Sequence, residues 1–213
     1  MNDRRYSNPA GRIIIFAKEP VMGRVKTRLA SSIGDDAALQ LHVKMVTQTV
    51  EMVTNSGIAD AELHVSGDID HPLFQSLSSR FDIPLRRQHG DNLGERMHRA
   101  LKTSLEEREF SVLIGTDIPA MSGQYIASAF AAVEQGVDIV IGPAEDGGYV
   151  LLGASRVDAG WFEGIDWGSP AVLQQSRQKV SASGASYKEL PPLWDVDYLQ
   201  DLQRWQLLQA AQQ

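Results

Sequence analysis

The sequence predicts an α/β protein, an open sandwich of helices around a mostly parallel sheet. Three observations predict it. Ile13-Ile14-Ile15-Phe16-Ala17 is a short apolar run rich in β-branched residues, as a strand buried on both faces requires. Segments of this kind alternate with amphipathic helical segments of roughly 11 to 20 residues, the pattern of βαβ units. Finally, two apolar runs, 137–141 and 149–152, flank the turn-forming Glu145-Asp146-Gly147-Gly148, which adds one antiparallel excursion.

Each element follows in order. A polar leader over residues 1–11, broken by Pro9 and Gly11, reads as flexible, and one domain spans 12–213. After the 13–17 strand, Pro20 and Gly23 mark a loop. From Asp35 or Asp36 a helix carries the stripe Leu39, Val43, Val46, Val50, Val53 and ends at Asn55-Ser56-Gly57. Residues 61–66 alternate like a strand, 71–81 form a short helix and 83–87 another strand. Leu93, Met97, Leu101 and Leu105 define a second amphipathic helix, and 110–114 a buried strand. Residues 122–135 are helical and close at Gly136. A last helix, 198–212, directs Leu199, Leu202, Trp205 and Leu208 inward. Ligands in such sheets sit beyond the carboxyl ends of the strands, so the loops at 18–28, 66–70, 88–94, 115–119 and 142–148 are expected to share one rim.

Composition removes several function classes. The chain has 213 residues, 43% of them hydrophobic, and a net charge of −7. That balance argues against a broad basic surface for DNA or RNA but leaves room for a single nucleotide. No apolar run approaches the roughly 20 residues of a membrane span, and the first residues lack an apolar targeting core. Cysteine is absent, which excludes disulfides, thiol catalysis and cysteine-ligated metals. A cytoplasmic location is the expectation. Core-facing and interface stripes are indistinguishable here, so monomer and dimer fit equally.

Against that acidic background Lys18, Arg24, Lys26 and Arg28 cluster just after the first strand. Gly23 permits close backbone approach and Thr27 adds a hydroxyl, an arrangement suited to the phosphates of a nucleotide. An exposed basic loop is the plainer alternative. Neither the GxxxxGK[ST] P-loop nor the GxGxxG dinucleotide fingerprint is present.

Acidic residues gather on the same expected rim. Asp117 follows the 110–114 strand and is a candidate Mg²⁺ ligand, or simply an acceptor of local N–H bonds near Pro119. In Asp195-Val196-Asp197 an extended backbone would put both carboxylates on one side. Asp197 is equally a helix cap, with Gln200 three residues on, and Asp201 organises the loop or stays solvated. Glu145 and Asp146 are either turn formers or carboxylates for an acceptor hydroxyl. Asn92 caps the second helix with Glu95, while Gly94 leaves room for a base or sugar and Arg96 approaches phosphate. Trp167 is a candidate pocket wall or a core residue.

The segments Phe16–Pro20, Gly23–Leu29, Asp91–Met97, Gly115–Asp117, Gly142–Leu152 and Asp195–Leu202, met in this order over roughly residues 12–205, resemble the bacterial DUF2064 family. Some of its members are named as glycosyltransferases of arsenosugar biosynthesis. The resemblance implies a GT-A fold of the nucleotide-diphospho-sugar transferase superfamily, a Rossmann-like three-layer α/β/α sandwich with a mostly parallel mixed sheet. It extends more distantly to the molybdenum-cofactor and phospholactate nucleotidylyltransferases. It further implies that Lys18, Gly23, Lys26 and Arg28 lie against nucleotide phosphates and that the 90–96 loop helps form the base or ribose pocket. Asp117, with Asp195 or Asp197, would hold the metal. Glu145, Asp146, Gly147, Gly148 and Tyr149 would face donor sugar or acceptor. Asp166-Trp167 departs from the Pro-Trp form of relatives.

The expected activity is Mg²⁺- or Mn²⁺-assisted transfer of a sugar from a nucleotide diphosphate to a small acceptor. Asp117, Lys26 and Glu145 or Asp146 would carry it. The alternative is nucleotidylyl transfer from CTP or GTP to a phosphorylated acceptor with pyrophosphate release. A non-catalytic nucleotide-binding protein is the third reading.

Overall fold

The computed structural model describes residues 6–210. Within them one seven-stranded sheet has the order β3-β2-β1-β4-β6-β5-β7. Its strands are β1 (Gly11–Lys18), β2 (Asp60–Ser66), β3 (Leu85–Arg87), β4 (Phe110–Ile114), β5 (Ile139–Pro143), β6 (Tyr149–Ala154) and β7 (Tyr187–Glu189). β1 pairs in parallel with both β2 and β4, while β6 runs antiparallel between β4 and β5. This is the Rossmann-like, mostly parallel mixed sheet that the sequence predicts.

Alternation along β1 builds the three layers, because successive strand side chains leave by opposite faces. Ile13, Ile15 and Ala17 pack with Val46, Val50 and Val53 of α2 (Asp35–Ser56), Phe74 of α3 (Pro72–Phe81) and Ile126 of α5 (Gly123–Glu134). Ile14 and Phe16 pack instead with Met97 and Leu101 of α4 (Leu93–Leu105) and with Leu173 and Val180 of α6 (Val172–Ala182). A smaller cluster unites Leu29 of α1 (Thr27–Ile33), Met45, Trp194, Val196 and Trp205 of α7 (Leu199–Ala210).

Several expectations need correction. Helix α1 begins inside the segment expected to be loop, and α6 and β7 were not anticipated. The helices run from 7 to 22 residues, a wider range than expected. In α2 the stripe is rotated: Leu39 and Val43 are half-buried, whereas Ala38, His42, Met45 and Thr49 are buried. Leu93 is exposed at the start of α4, and Leu199 and Leu208 are exposed on α7, leaving Trp205 as the buried anchor of that helix. Residues 211–212 of the expected last helix lie outside the described residues, as do residues 1–5 of the expected leader. The rest of that leader is tied down: Ser7 and Asn8 donate backbone N–H groups to Gly57 and Ile58 carbonyls at 3.0 and 2.7 Å, and Gly11 opens β1.

Candidate active site

The strand order reverses between β1 and β4. In open α/β sheets a crevice forms beyond the carboxyl ends of the strands at such a switch point. A cavity of about 570 Å³ lies there, lined from β1 by Lys18, from the end of β4 by Asp117, and from later loops by Asp146, Trp167, Asp195 and Asp197. A hollow of about 340 Å³ under the 24–28 loop adjoins it and shares Lys18, Arg28, His42, Asp117 and Asp197. The expected rim therefore forms.

On the cationic side, Gly23 has φ +71°, the left-handed conformation that favours glycine, and it turns the loop back toward the sheet. Lys26 also has a positive φ of 49° at the start of α1, a costly backbone for a residue with a Cβ. Its buried ammonium lies 2.9 Å from Asp117 Oδ1 and 3.8 Å from Asp197 Oδ1, and donates to the Val196 carbonyl at 2.7 Å. Lys26 thus meets the acidic wall directly. Arg28 donates to Asp197 Oδ2 at 2.9 Å with its guanidinium half exposed, and Lys18 donates to the Arg24 carbonyl at 2.7 Å. Thr27 lines the hollow beside them.

The acidic wall has the expected alternation. Val196 is fully buried while Asp195 and Asp197 both line the crevice. Asp197 is not the cap of α7. The backbone N–H groups of Asp197 and Tyr198 donate instead to Asp201 Oδ2 at 3.1 and 2.7 Å, which frees Asp197 for the cations. Burial, aided by the charges of Asp197 and Asp146, pushes the Asp195 carboxyl up to about 6. Oδ1 of Asp117 is buried against the Lys26 ammonium, at 2.9 Å. Carboxylates crowded on one wall, as the raised Asp195 shows, are hard-oxygen chemistry of the kind a divalent cation takes up. Among the described residues no three His, Asp or Glu side chains are grouped as a ready-made cage. Asp117 and Asp195 on the crevice could give an ion one or two carboxylate ligands, with phosphate oxygens and water to complete it.

The loop between β5 and β6 separates the two carboxylates of which one or the other is expected to serve the acceptor. Glu145 is gripped by Arg204 of α7 at 2.7 and 3.1 Å, which lowers its pKa, and it does not line the crevice. Asp146 does line it, with Oδ1 accepting the Gly148 N–H at 2.9 Å. Gly147 has φ +91°, and a Cβ there would overlap the Pro170 carbonyl oxygen, so its role is to let the turn close against the chain before α6.

Two other expected contacts are structural. Asn92 caps α4, its Oδ1 accepting the Glu95 N–H at 3.0 Å, and Glu95 answers through the Asp91 N–H at 3.3 Å. Gly94 lies under Trp167, where any Cβ would overlap the indole. Trp167 also meets Tyr149 edge-on at 6.3 Å between ring centres, so the indole is fixed as a crevice wall. Arg96 lines the crevice while donating to the Gly90 carbonyl and Ser66 Oγ at 2.9 and 3.2 Å. Sequence reasoning missed His42. It is buried on the sheet-facing stripe of α2, 2.8 Å from the Lys18 carbonyl and 4.0 Å from Asp117. Burial lowers its pKa, outweighing the pull of the Lys18 carbonyl and of Asp117. A polar residue at a core position of that stripe was the available signal.

The comparisons agree with this fold. A family model described as "Uncharacterized protein conserved in bacteria (DUF2064)" matches residues 49–169. A protein of Desulfovibrio desulfuricans G20, whose name assigns it provisionally as a nucleotide-diphospho-sugar transferase, is 31% identical. It superposes with a TM-score of 0.79 over 89% of this chain and 83% of its own. The 4-diphosphocytidyl-2C-methyl-D-erythritol synthase of Anaerococcus prevotii shares the fold at 12% identity, with a TM-score of 0.63 over 97% of this chain and all of its own. So does glucosyl-3-phosphoglycerate synthase of Mycobacterium tuberculosis, in complex with Mn²⁺, UDP and glucosyl-3-phosphoglycerate. There the identity is 9% and the TM-score 0.53, over 93% of this chain and 75% of that one. No curated protein matches the sequence. No helix among the described residues is long and apolar enough to cross a membrane.

Proposed function

This chain belongs to the DUF2064 family, and from that premise we propose that it transfers a sugar from a nucleotide diphosphate to a small acceptor. Its fold is that of the nucleotidyltransferase and nucleotide-diphospho-sugar transferase superfamily. The observation that carries the reading is the meeting of Lys18, Lys26 and Arg28 with Asp117, Asp195 and Asp197 at the β1/β4 switch point. Cations there would take the diphosphate, and the carboxylates opposite would share Mg²⁺ or Mn²⁺ with its oxygens. When bound, such an ion stabilises negative charge on the leaving diphosphate.

In this scheme Lys18 and Arg28 orient the diphosphate, and Trp167 walls the sugar side. The acceptor oxygen forms its bond to the anomeric carbon as the bond from that carbon to the diphosphate oxygen breaks. The electron pair leaves with the nucleoside diphosphate. The acceptor proton passes to Asp146, whose second oxygen is not used by the turn.

One observation favours nucleotidylyl transfer as a second reading. Glu145 is held by Arg204, leaving a single carboxylate of this loop on the crevice, and an ionised phosphate acceptor needs no protein base. Products distinguish the two. With labelled nucleotide sugars and nucleoside triphosphates in parallel, sugar label appearing on the acceptor with release of nucleoside diphosphate is expected. Pyrophosphate release dependent on a phosphorylated acceptor would replace sugar transfer with the second reading.

A further inference from the structure

Beside the crevice, between β3 and α4, a second cavity of about 170 Å³ is walled by Arg86, Arg87, Arg96 and Arg99 and floored by Glu62 and His64. Four arginines lining a cavity with one glutamate are out of keeping with a chain of net charge −7. Glu62 is already satisfied from below, by Arg12 at 3.2 Å and His64 at 3.1 Å, and Arg86 reaches it from above at 3.3 Å. Arg87 and Arg96 have no carboxylate partner among the described residues: Arg87 donates to the Gly67 carbonyl at 2.9 Å, and Arg96 spends its bonds on a carbonyl and a hydroxyl. Arg99 reaches Glu95 only at 3.8 Å. The local charge is therefore positive, and the exposed side chains of Arg86 and Arg99 suit two-oxygen recognition of phosphate or carboxylate.

This cavity and the crevice meet at a shared wall formed by Gln88 and Arg96. Gln88 is fixed there, donating from its side chain to the His64 carbonyl at 2.9 Å and to the Ala17 carbonyl at 3.3 Å. Building on the transferase reading above, we infer that the cavity holds the anionic end, phosphate or carboxylate, of a small acceptor whose reacting end lies in the crevice. The acceptor class is thus a small phosphorylated or carboxylated molecule, not a neutral sugar or a lipid.

The test titrates the full chain with inorganic phosphate and, in a parallel arm, with acetate, at constant ionic strength, while amide NMR signals are followed. Saturable shifts at Arg99, Ala100 and Thr103 are expected. The double variant R86Q/R99Q, which alters two exposed side chains outside the crevice, should weaken that binding at least tenfold. Tighter phosphate binding assigns a phosphorylated acceptor, tighter acetate binding a carboxylated one. The same shifts with undiminished affinity in the double variant, or no shifts near α4 with either anion, overturn the inference. A parallel titration with nucleoside diphosphates separates the two levels. Failure of all of them to bind the parent, with phosphate still seated at Arg99, would count against the transferase reading and not against an anion site.

Discussion

The Lys26 ammonium lies 2.9 Å from Oδ1 of Asp117, so the loop after β1 and the loop after β4 are joined by a buried cation and a half-exposed carboxylate. That pair unites the cationic and acidic sides of the crevice. It also fixes what either loop does when the other changes.

Replacing Lys26 with Ala removes the only side chain among the described residues within ion-pair distance of both Asp117 and Asp197, since Arg28 reaches only Asp197 and His42 only Asp117. Breaking a fully buried pair costs about 3–5 kcal/mol, but Asp117 keeps solvent access, so about 1–2 kcal/mol is expected. Nucleotide affinity should fall about tenfold through loss of one charge-assisted contact. Urea unfolding and nucleotide titration of the same variant check both, and unchanged donor affinity would remove Lys26 from the phosphate site.

The two loop carboxylates are predicted to behave differently. Glu145→Gln loses a surface pair with Arg204, worth about 1 kcal/mol or less, and should keep turnover within about threefold of the parent. Asp146→Asn should lower kcat by about 10²–10⁴ if it receives the acceptor proton. A steady-state comparison with the opposite ranking would return the role to Glu145.

Gly94 and Trp167 are complementary by shape. Gly94→Ala should displace the indole and destabilise the fold by about 1–3 kcal/mol, as overpacking does. In a double-mutant cycle Trp167→Ala should recover most of that loss, since the clash disappears with the ring. Additive effects would show that the two do not meet in solution.

Acid stability should report Glu62. Burial raises its pKa, but the hydrogen bond from His64 and the charges of Arg12 and Arg86 outweigh it and hold the carboxyl at about 2, below its usual 4.5. A depressed carboxyl stabilises the fold fully above its unfolded value and loses that contribution as pH falls toward the folded one. The gain, at most about 3 kcal/mol, should therefore be complete above pH 4.5 and shrink below it. Urea unfolding of the parent and of Glu62→Gln across pH 3–7 should show a stability difference that narrows below 4.5. A pH-independent difference would contradict the assignment.

Much of this was legible in the sequence because it depends on local pattern. The Ile13–Ala17 run, the later parts of the α2 and α4 stripes (Val46, Val50 and Val53; Met97 and Leu101), the Asn92 cap and the alternation at Asp195–Asp197 follow from periods of two and 3.6 residues and from capping chemistry. Two kinds of feature were hidden. Short elements such as α1 and β7 gain their stability from long-range packing, of Leu29 against Trp194 and Trp205 and of β7 on β5, which no local pattern encodes. Side-chain partners across the fold were hidden likewise. Nothing near Glu145 announces Arg204, and the reach of Lys26 to Asp117 is equally invisible in the sequence, whereas the loop-organising role of Asp201 was legible and is borne out.

The most direct test of the central claim is nucleotide titration of the parent and of Asp117→Asn, each with and without Mg²⁺ or Mn²⁺. If the crevice holds a phosphate chain between the Lys18–Arg28 loop and a cation at Asp117, the ion should tighten nucleotide binding in the parent. In folded Asp117→Asn that tightening should vanish, and turnover should fall about 10²-fold or more. Equal ion-dependence and equal activity in the two proteins would contradict the account.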